Sequence, residues 1–160
     1  MPCSITRLYL LRHAKAAAAR PGERDKQREL DPTGREEAAF IGDEMRQAGW
    51  TPDALVSSSA TRCRQTSDIV LAGLSDNVAL DVADILYEGS LDTYLTVLAS
   101  RPETSVMLVG HNPPMEELFE RLAGSEETHR HFPSGYPTAG LAVLDRTGVG
   151  EWQVTAVVTP

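Results

Sequence analysis

Short apolar runs alternate along the chain with stretches in which apolar residues recur at helical spacing. The runs at residues 8–11, 54–56, 106–109 and 141–144 are each bounded by polar residues, which is typical of buried strands. A weaker strand is predicted at 78–82. A last strand is predicted at 152–158, and a hairpin around 145–150 joins it to the run at 141–144.

Helices are predicted in the intervals between these strands. Thr33 to Glu36 has capping-box spacing, apolar residues follow at intervals of three and four, and Gly49 supplies a stop, so one helix covers about 33–48. Further helices are predicted at about 60–72, at about 91–99, and from the prolines at 113–114 to about 123. The segments 14–30 and 124–137 are predicted to be irregular surface loops.

This alternation predicts an α/β fold. Strands that alternate with helices favour a three-layer sandwich with a mostly parallel central sheet and helices on both faces, to which the final hairpin adds an antiparallel edge. The 160 residues, 41% of them hydrophobic, can build one sizeable core, and neither a repeat nor a linker interrupts them. We therefore expect a single domain over residues 1–160.

The charge balance restricts the possible partners. The formal net charge of -8 argues against nucleic acid and against an anionic membrane surface as a partner. The first 35 residues are an exception, because they contain eight basic and four acidic side chains. A local cationic site for a small anion is therefore compatible with an acidic protein.

The chain also lacks the marks of secretion and of membrane insertion. Its two cysteines, Cys3 and Cys63, have neither metal-ligand spacing nor a disulfide framework, and its apolar runs are too short for a membrane span or a signal peptide. We expect a cytoplasmic protein.

Candidate chemistry follows three of the predicted strands. Arg12 and His13 come directly after the first, Arg62 comes shortly after the second, and His111 follows the most apolar one. Taken singly, these residues could be a solvated loop pair, an exposed first-turn arginine and a helix-capping or packing histidine. The carboxyl ends of parallel strands share one edge of a sheet, however, so together they predict one pocket.

Such a pocket is suited to phosphoryl chemistry. Guanidinium groups and helix N-termini bind phosphoryl oxygens, and neighbouring cations keep an imidazole neutral and able to attack phosphorus. A second imidazole could stabilise the charge that develops on the transferring group. The sequence shows no carboxylate cluster for Mg²⁺, so no metal is expected.

Four motifs resemble those of the histidine phosphatase (phosphoglycerate mutase-like) superfamily, in order and over about residues 7–144. They are Leu-Leu-Arg-His-Ala at 10–14, Leu-Asp-Pro-Thr-Gly at 30–34, Ser-Ser-Ser-Ala-Thr-Arg-Cys-Arg-Gln-Thr at 57–66 and Val-Gly-His-Asn-Pro at 109–113. The resemblance implies that His13 is the nucleophile, that Arg12 and Arg62 bind the phosphoryl oxygens, that His111 completes the pocket, and that no cofactor is needed.

The short chain resembles SixA-like phosphohistidine phosphatases within that superfamily. The implied substrate is a phosphorylated histidine in a phosphorelay protein, such as an HPt-like domain. Glu88 loosely matches the glutamate that serves many members as proton donor, although it could equally be an exposed loop residue. Two alternatives stay open: a small-molecule phosphomonoesterase of sugar-phosphate type with Glu88 as its acid, and a non-catalytic phosphate-binding or interaction module.

Three other signals are given less weight. His129 and His131 lie two residues apart in a predicted loop without a third ligand at metal spacing. Cys63 is interpreted as a small helix residue, and Lys15 as a solvated lysine.

Overall fold

The strands of the fold form one six-stranded sheet in the order β3-β2-β4-β1-β5-β6. The structure is a computed structural model that describes residues 3–74 and 77–160. The strands are β1 (Arg7–Arg12), β2 (Ala54–Ser58), β3 (Ala79–Ala83), β4 (Ser105–Gly110), β5 (Leu141–Gly148) and β6 (Glu151–Val158). The helices are α1 (Pro32–Ala48), α2 (Thr61–Ala72), α3 (Leu91–Ala99), α4 (Pro114–Ala123) and α5 (Ser125–His131), with single 3-10 turns at Asp25–Gln27 and Asp84–Leu86.

The direction of the strands agrees with the prediction. The pairs β1–β4, β2–β4 and β2–β3 are parallel, whereas β5 runs antiparallel to β1 and β6 antiparallel to β5. The sheet is thus mostly parallel, and the final hairpin is its antiparallel edge.

Helices cover both faces of the sheet and enclose two apolar clusters. One cluster joins β1 and β4 to α1 and α2, through residues such as Leu11, Ile41 and Val70. The other joins them to α3 and α4, through residues such as Leu10, Tyr94 and Phe119. Successive residues of β1 therefore contribute to opposite clusters, as the alternation of side chains along a strand requires. The three-layer α/β fold is confirmed.

The start of α1 differs from the prediction. Asp31 is the N-cap, and its Oδ1 accepts a hydrogen bond from the Gly34 amide at 2.7 Å, so the capping box predicted at Thr33 is wrong. Pro32 suits the first helical turn because its missing N–H would have no partner there. The predicted stop is confirmed, since Gly49 adopts a left-handed conformation with φ 73°.

The segment 124–137 is not wholly irregular, because it contains α5. Gly124, with φ 94°, separates α4 from α5. The polar sequence of α5 conceals its helical character, but carboxylates one turn earlier pair with Arg130 and His131. Strand β5 also runs on to Gly148, so the hairpin turn is shorter than predicted.

Within the described ranges, no helix combines the length and the apolar character needed to cross a membrane.

Candidate active site

The strand order explains why distant residues meet at one edge of the sheet. Strands β2, β4 and β1 are neighbours, and their carboxyl ends lead to Arg62, His111 and His13 respectively. Arg12 lies opposite Gly110 in the register of β1 and β4, and the His13 amide donates to the Gly110 carbonyl at 3.0 Å. The predicted convergence is thus visible in the backbone before any side chain is considered.

His13 is fixed in one tautomer. Its Nδ1 lies 2.7 Å from the Ala14 carbonyl oxygen, which can only accept, so Nδ1 carries the proton and Nε2 keeps its lone pair. The side chain is buried, and burial lowers the pKa of His13 to about 3, with further lowering by His111, Arg62 and Arg12. A neutral imidazole with a free Nε2 is the form that can attack phosphorus.

Arg12 and Arg62 each keep a buried donor without a partner. Arg12 donates from Nη1 to the Tyr136 carbonyl at 2.8 Å, and Arg62 donates from Nη1 to the Asp25 carbonyl at 2.9 Å. Among the described residues, the Nε atoms of both arginines are buried and make no hydrogen bond. Buried guanidinium donors left in this way are suited to an oxyanion.

Asp25 holds Arg62 in place from the loop that precedes α1. Its Oδ2 accepts from Arg62 Nη2 at 3.1 Å and from the Tyr87 hydroxyl at 2.8 Å. The hydrogen bond from Tyr87 lowers the pKa of Asp25 to about 2, helped by Arg28 and Arg62. Sequence reasoning missed both Asp25 and Tyr87, because nothing local marks a pairing across 37 or 62 residues.

His111 lies beside His13, with 5.5 Å between the ring centroids. Its Nε2 is 2.8 Å from Ser58 Oγ, and its backbone amide donates to the Tyr94 hydroxyl at 2.9 Å. Burial lowers the pKa of His111 to about 4, and Arg62 contributes to the shift. This ring is therefore neutral at neutral pH as well.

Gly110 is required by this arrangement. A Cβ at this position would clash with the hydroxyl and ring of Tyr94, the residue that binds the His111 amide. The glycine before the second histidine thus lets β4 approach α3 closely enough for that hydrogen bond.

The asparagine after His111 fastens a loop over Arg12. Asn112 Nδ2 donates to the Tyr136 carbonyl at 3.1 Å, the same oxygen that Arg12 binds, and Glu116 Oε2 accepts from the Tyr136 amide at 2.8 Å. The loop around Tyr136 is therefore tied to α4 and to Arg12 together.

Thr66 links the backbone next to His13 to the backbone of Arg62. Its Oγ1 accepts from the Ala14 amide at 3.0 Å and donates to the Arg62 carbonyl at 2.7 Å. Since the Ala14 carbonyl fixes His13, Thr66 relates the position of the His13 segment to that of Arg62. The motif at 57–66 indicated this residue without indicating its contacts.

Glu88 is exposed, whereas His13, Arg62 and His111 are buried and Arg12 is half-buried. It lines a cleft of about 420 Å³ that His111 also lines, and Glu117 stands among the other lining residues. Glu88 therefore shares a cleft with one of the four other predicted residues, His111.

The remaining candidates lie elsewhere or are unreactive. Burial raises the pKa of the Cys63 thiol to about 12, so this cysteine stays protonated. Lys15 pairs with Asp31 at 3.6 Å and is largely exposed. His129 and His131 lie on α5, where His131 Nε2 is 3.2 Å from Glu127.

Comparison with known proteins leads to the same superfamily that the sequence motifs resemble. Residues 8–94 match the family described as histidine phosphatase superfamily (branch 1). The crystal structure of the candidate phosphohistidine phosphatase SixA from Agrobacterium tumefaciens is similar, with a TM-score of 0.92 and 43% identity over 98% of this chain and 99% of that one. A second SixA candidate, from Nakamurella multipartitia, has a TM-score of 0.78 and 30% identity over 97% of this chain and 96% of that one.

A more distant relative is the mitochondrial serine/threonine-protein phosphatase PGAM5 of Xenopus tropicalis. It is 30% identical over 131 residues, which are 82% of this chain and 42% of that protein.

Proposed function

The chain belongs to the histidine phosphatase superfamily and is a phosphatase, and from this premise we propose that it removes phosphate from phosphohistidine in a protein through a phosphorylated His13. The proposal rests on the protonation state of His13. Its Nδ1 proton is held by the Ala14 carbonyl, which leaves Nε2 free beside Arg12 and Arg62.

The reaction has two steps. In the first, His13 Nε2 attacks phosphorus, the bond from phosphorus to the substrate imidazole breaks, and the leaving imidazole takes a proton from water, to which hydrolysis in the second step returns a proton. In the second, water attacks the phosphorus of phospho-His13, which releases inorganic phosphate and restores the imidazole. Arg12 and Arg62 hold the phosphoryl oxygens through donors such as their unpaired Nε atoms, and His111 stabilises the transferring group.

Two features support phosphohistidine as the substrate. The protein with 43% identity is a candidate phosphohistidine phosphatase. In addition, an imidazole leaves more readily than an alkoxide, so the reaction does not require a buried acid, and Glu88 is exposed.

A small phosphate ester is the second candidate substrate, and the position of Glu88 favours it. Glu88 lines the same cleft as His111, so its carboxyl group can approach a leaving oxygen once a substrate fills the cleft. In that case Glu88 would be the acid that an alkoxide leaving group requires.

Turnover of two substrate classes distinguishes these functions. We expect kcat/KM for a phosphohistidine peptide to exceed that for sugar phosphates by about 100-fold or more, and Glu88→Gln to change it by less than about threefold. Glu117→Gln, an exposed carboxylate of the same cleft, is the matched control. Preference for the sugar phosphates, with a large loss in Glu88→Gln alone, would replace the proposal by the second candidate.

The proposed chemistry uses side chains and no metal. We therefore expect full turnover of the phosphohistidine peptide after dialysis against EDTA, because arginines supply the positive charge that a divalent cation would otherwise supply. Loss of activity on dialysis with recovery on adding Mg²⁺ or Zn²⁺ would contradict metal independence.

A further inference from the structure

Both ring nitrogens of His111 contact protein groups in the buried interior of the site. Nε2 lies 2.8 Å from Ser58 Oγ and 3.5 Å from Cys63 Sγ. Nδ1 lies 3.4 Å from Arg62 Nη2, at the limit of a hydrogen bond. Ser58 and Cys63 are fully buried. The ring therefore has a hydroxyl on one side and a cation on the other.

The chemistry of these partners fixes the proton in the free enzyme. A guanidinium group only donates hydrogen bonds, so Nδ1 must accept from Arg62. The ring is neutral at neutral pH, because burial lowers the pKa of His111 to about 4. Its one proton is therefore on Nε2 and is donated to Ser58 Oγ, which also accepts from the Ala60 amide at 3.3 Å.

A bound phosphoryl group requires the opposite hydrogen-bonding role from the Nδ1 atom of His111. Its oxygens accept hydrogen bonds, and Arg62 would turn its donors toward them. Nδ1 is the ring nitrogen on the Arg62 side, so His111 can bind a phosphoryl oxygen only if Nδ1 carries the proton. A ring that stays neutral then has no proton on Nε2, and this nitrogen needs a donor among the groups that surround it.

We propose that Ser58 is a positioning residue that lets His111 change tautomer when the phosphoryl group binds. Nδ1 takes a proton from water in the cleft that His111 lines, Nε2 returns its proton to that water, and the charges of the ring and of the water are unchanged. Ser58 serves both forms because a hydroxyl can rotate from accepting to donating, which an alanine cannot do. This inference rests on the proposed function of the same pocket.

The first test reads the tautomer directly. The sequence has four histidines, so long-range proton–nitrogen NMR of ¹⁵N-labelled protein can resolve the ring nitrogens of His111, with His111→Gln identifying its signals. We expect the proton on Nε2 in the free protein and on Nδ1 with vanadate bound as a phosphoryl mimic. A proton that stays on Nε2 in the vanadate complex would overturn the inference.

The second test compares neighbouring serines. Ser58→Ala is expected to lower kcat/KM about tenfold, the value of about one lost hydrogen bond, and to leave the proton on Nε2 when vanadate is added. Ser57→Ala is the matched control and should behave as wild type, because Ser57 is equally buried and, within the described part of the chain, its hydroxyl bonds the Ser58 carbonyl alone. Full activity in Ser58→Ala would also overturn the inference.

The two proposals fail separately. If the tautomer of His111 changes but the protein hydrolyses neither phosphohistidine nor phosphate esters, the proposed function is wrong and the proposed role of Ser58 is supported. If turnover proceeds through phospho-His13 without a tautomer change, the proposed function is supported and the role of Ser58 is wrong. If Ser58→Ala does not fold, the NMR spectra of the wild type without and with vanadate test the inference on their own.

Discussion

The pocket contains the residues proposed to bind phosphate and further side chains that hold those residues in position. Arg12, His13, Arg62 and His111 could be named from the sequence because each lies at or shortly after the end of a strand, in a recognisable motif. Asp25, Tyr87 and the contacts of Ser58 could not, because their hydrogen bonds join residues that only the tertiary structure brings together. The sequence thus identified the groups proposed to contact phosphate, but not the groups that orient them.

Substitution of Arg62 tests its role at this scale. Arg62→Ala should lower turnover by about 10³-fold or more, because the pocket loses the guanidinium group proposed to neutralise the transferring phosphoryl group. Arg64→Ala is the matched control, since Arg64 is exposed on the same turn of α2. Circular dichroism should show both variants folded, and activity unchanged in Arg62→Ala would remove Arg62 from the site.

Asp25→Asn tests whether the position of Arg62 matters as well as its charge. The amide keeps the size of the carboxylate but weakens the pairing with Arg62 Nη2, so kcat/KM should fall about tenfold. The loss should appear with phosphohistidine and with phosphate esters alike. An unchanged kcat/KM would mean that Asp25 does not position Arg62.

At the scale of elements, the sheet was easier to predict than the ends of the helices. Strands β1, β2 and β4 each contain an uninterrupted run of at least three apolar residues and could be recognised by that run. The cap of α1 was misplaced because Asp31 and Thr33 are both good capping residues, and only the bond from the Gly34 amide selects Asp31. Helix α5 was missed because its sequence is almost wholly polar.

Gly34→Ala tests how α1 supports the site. In an ordinary helix this change stabilises by about 1 kcal/mol, but here the new Cβ would clash with the backbone carbonyl of Lys15, two residues after His13. We expect a net loss of about 1–3 kcal/mol in urea unfolding, together with lower turnover. Arg35→Ala, at the next and exposed position, is the control. A more stable Gly34→Ala variant would contradict this close packing.

At the scale of the molecule, the basic N-terminal segment does not form a free cationic surface. Five of its basic residues pair with acids at 4.0 Å or less, namely Arg7, Lys15, Arg20, Lys26 and Arg28. Arg12 instead extends to the Tyr136 carbonyl beside His13. Most of the positive charge of this segment is thus neutralised at the surface, whereas Arg12 lies beside His13, an arrangement that net charge alone could not predict.

The buried histidines make stability depend on pH. Unfolded histidines bind protons below about pH 6.5, whereas His13 and His111 stay neutral in the fold until about pH 3 and 4. The unfolded state therefore binds more protons than the folded state between pH 6.5 and 4. As the pH decreases through this range, the free energy of unfolding should fall by up to about 1.4 kcal/mol per pH unit for each ring.

Urea unfolding at pH 7, 6 and 5 measures that slope. His13→Ala should make it shallower by about one proton, and His129→Ala, at an exposed position of α5, should leave it unchanged. Equal slopes in wild type and His13→Ala would contradict the burial of a neutral His13.

Trapping of the phosphorylated intermediate tests the proposed role of His13. The protein is mixed with a peptide carrying ³²P-labelled phosphohistidine, quenched within milliseconds to seconds in alkali, and separated from the peptide. We expect acid-labile, alkali-stable label on the wild type, mapped to His13, and none on His13→Ala. Turnover without label on the wild type at any quench time, or equal label on His13→Ala, would rule out phospho-His13 as the intermediate.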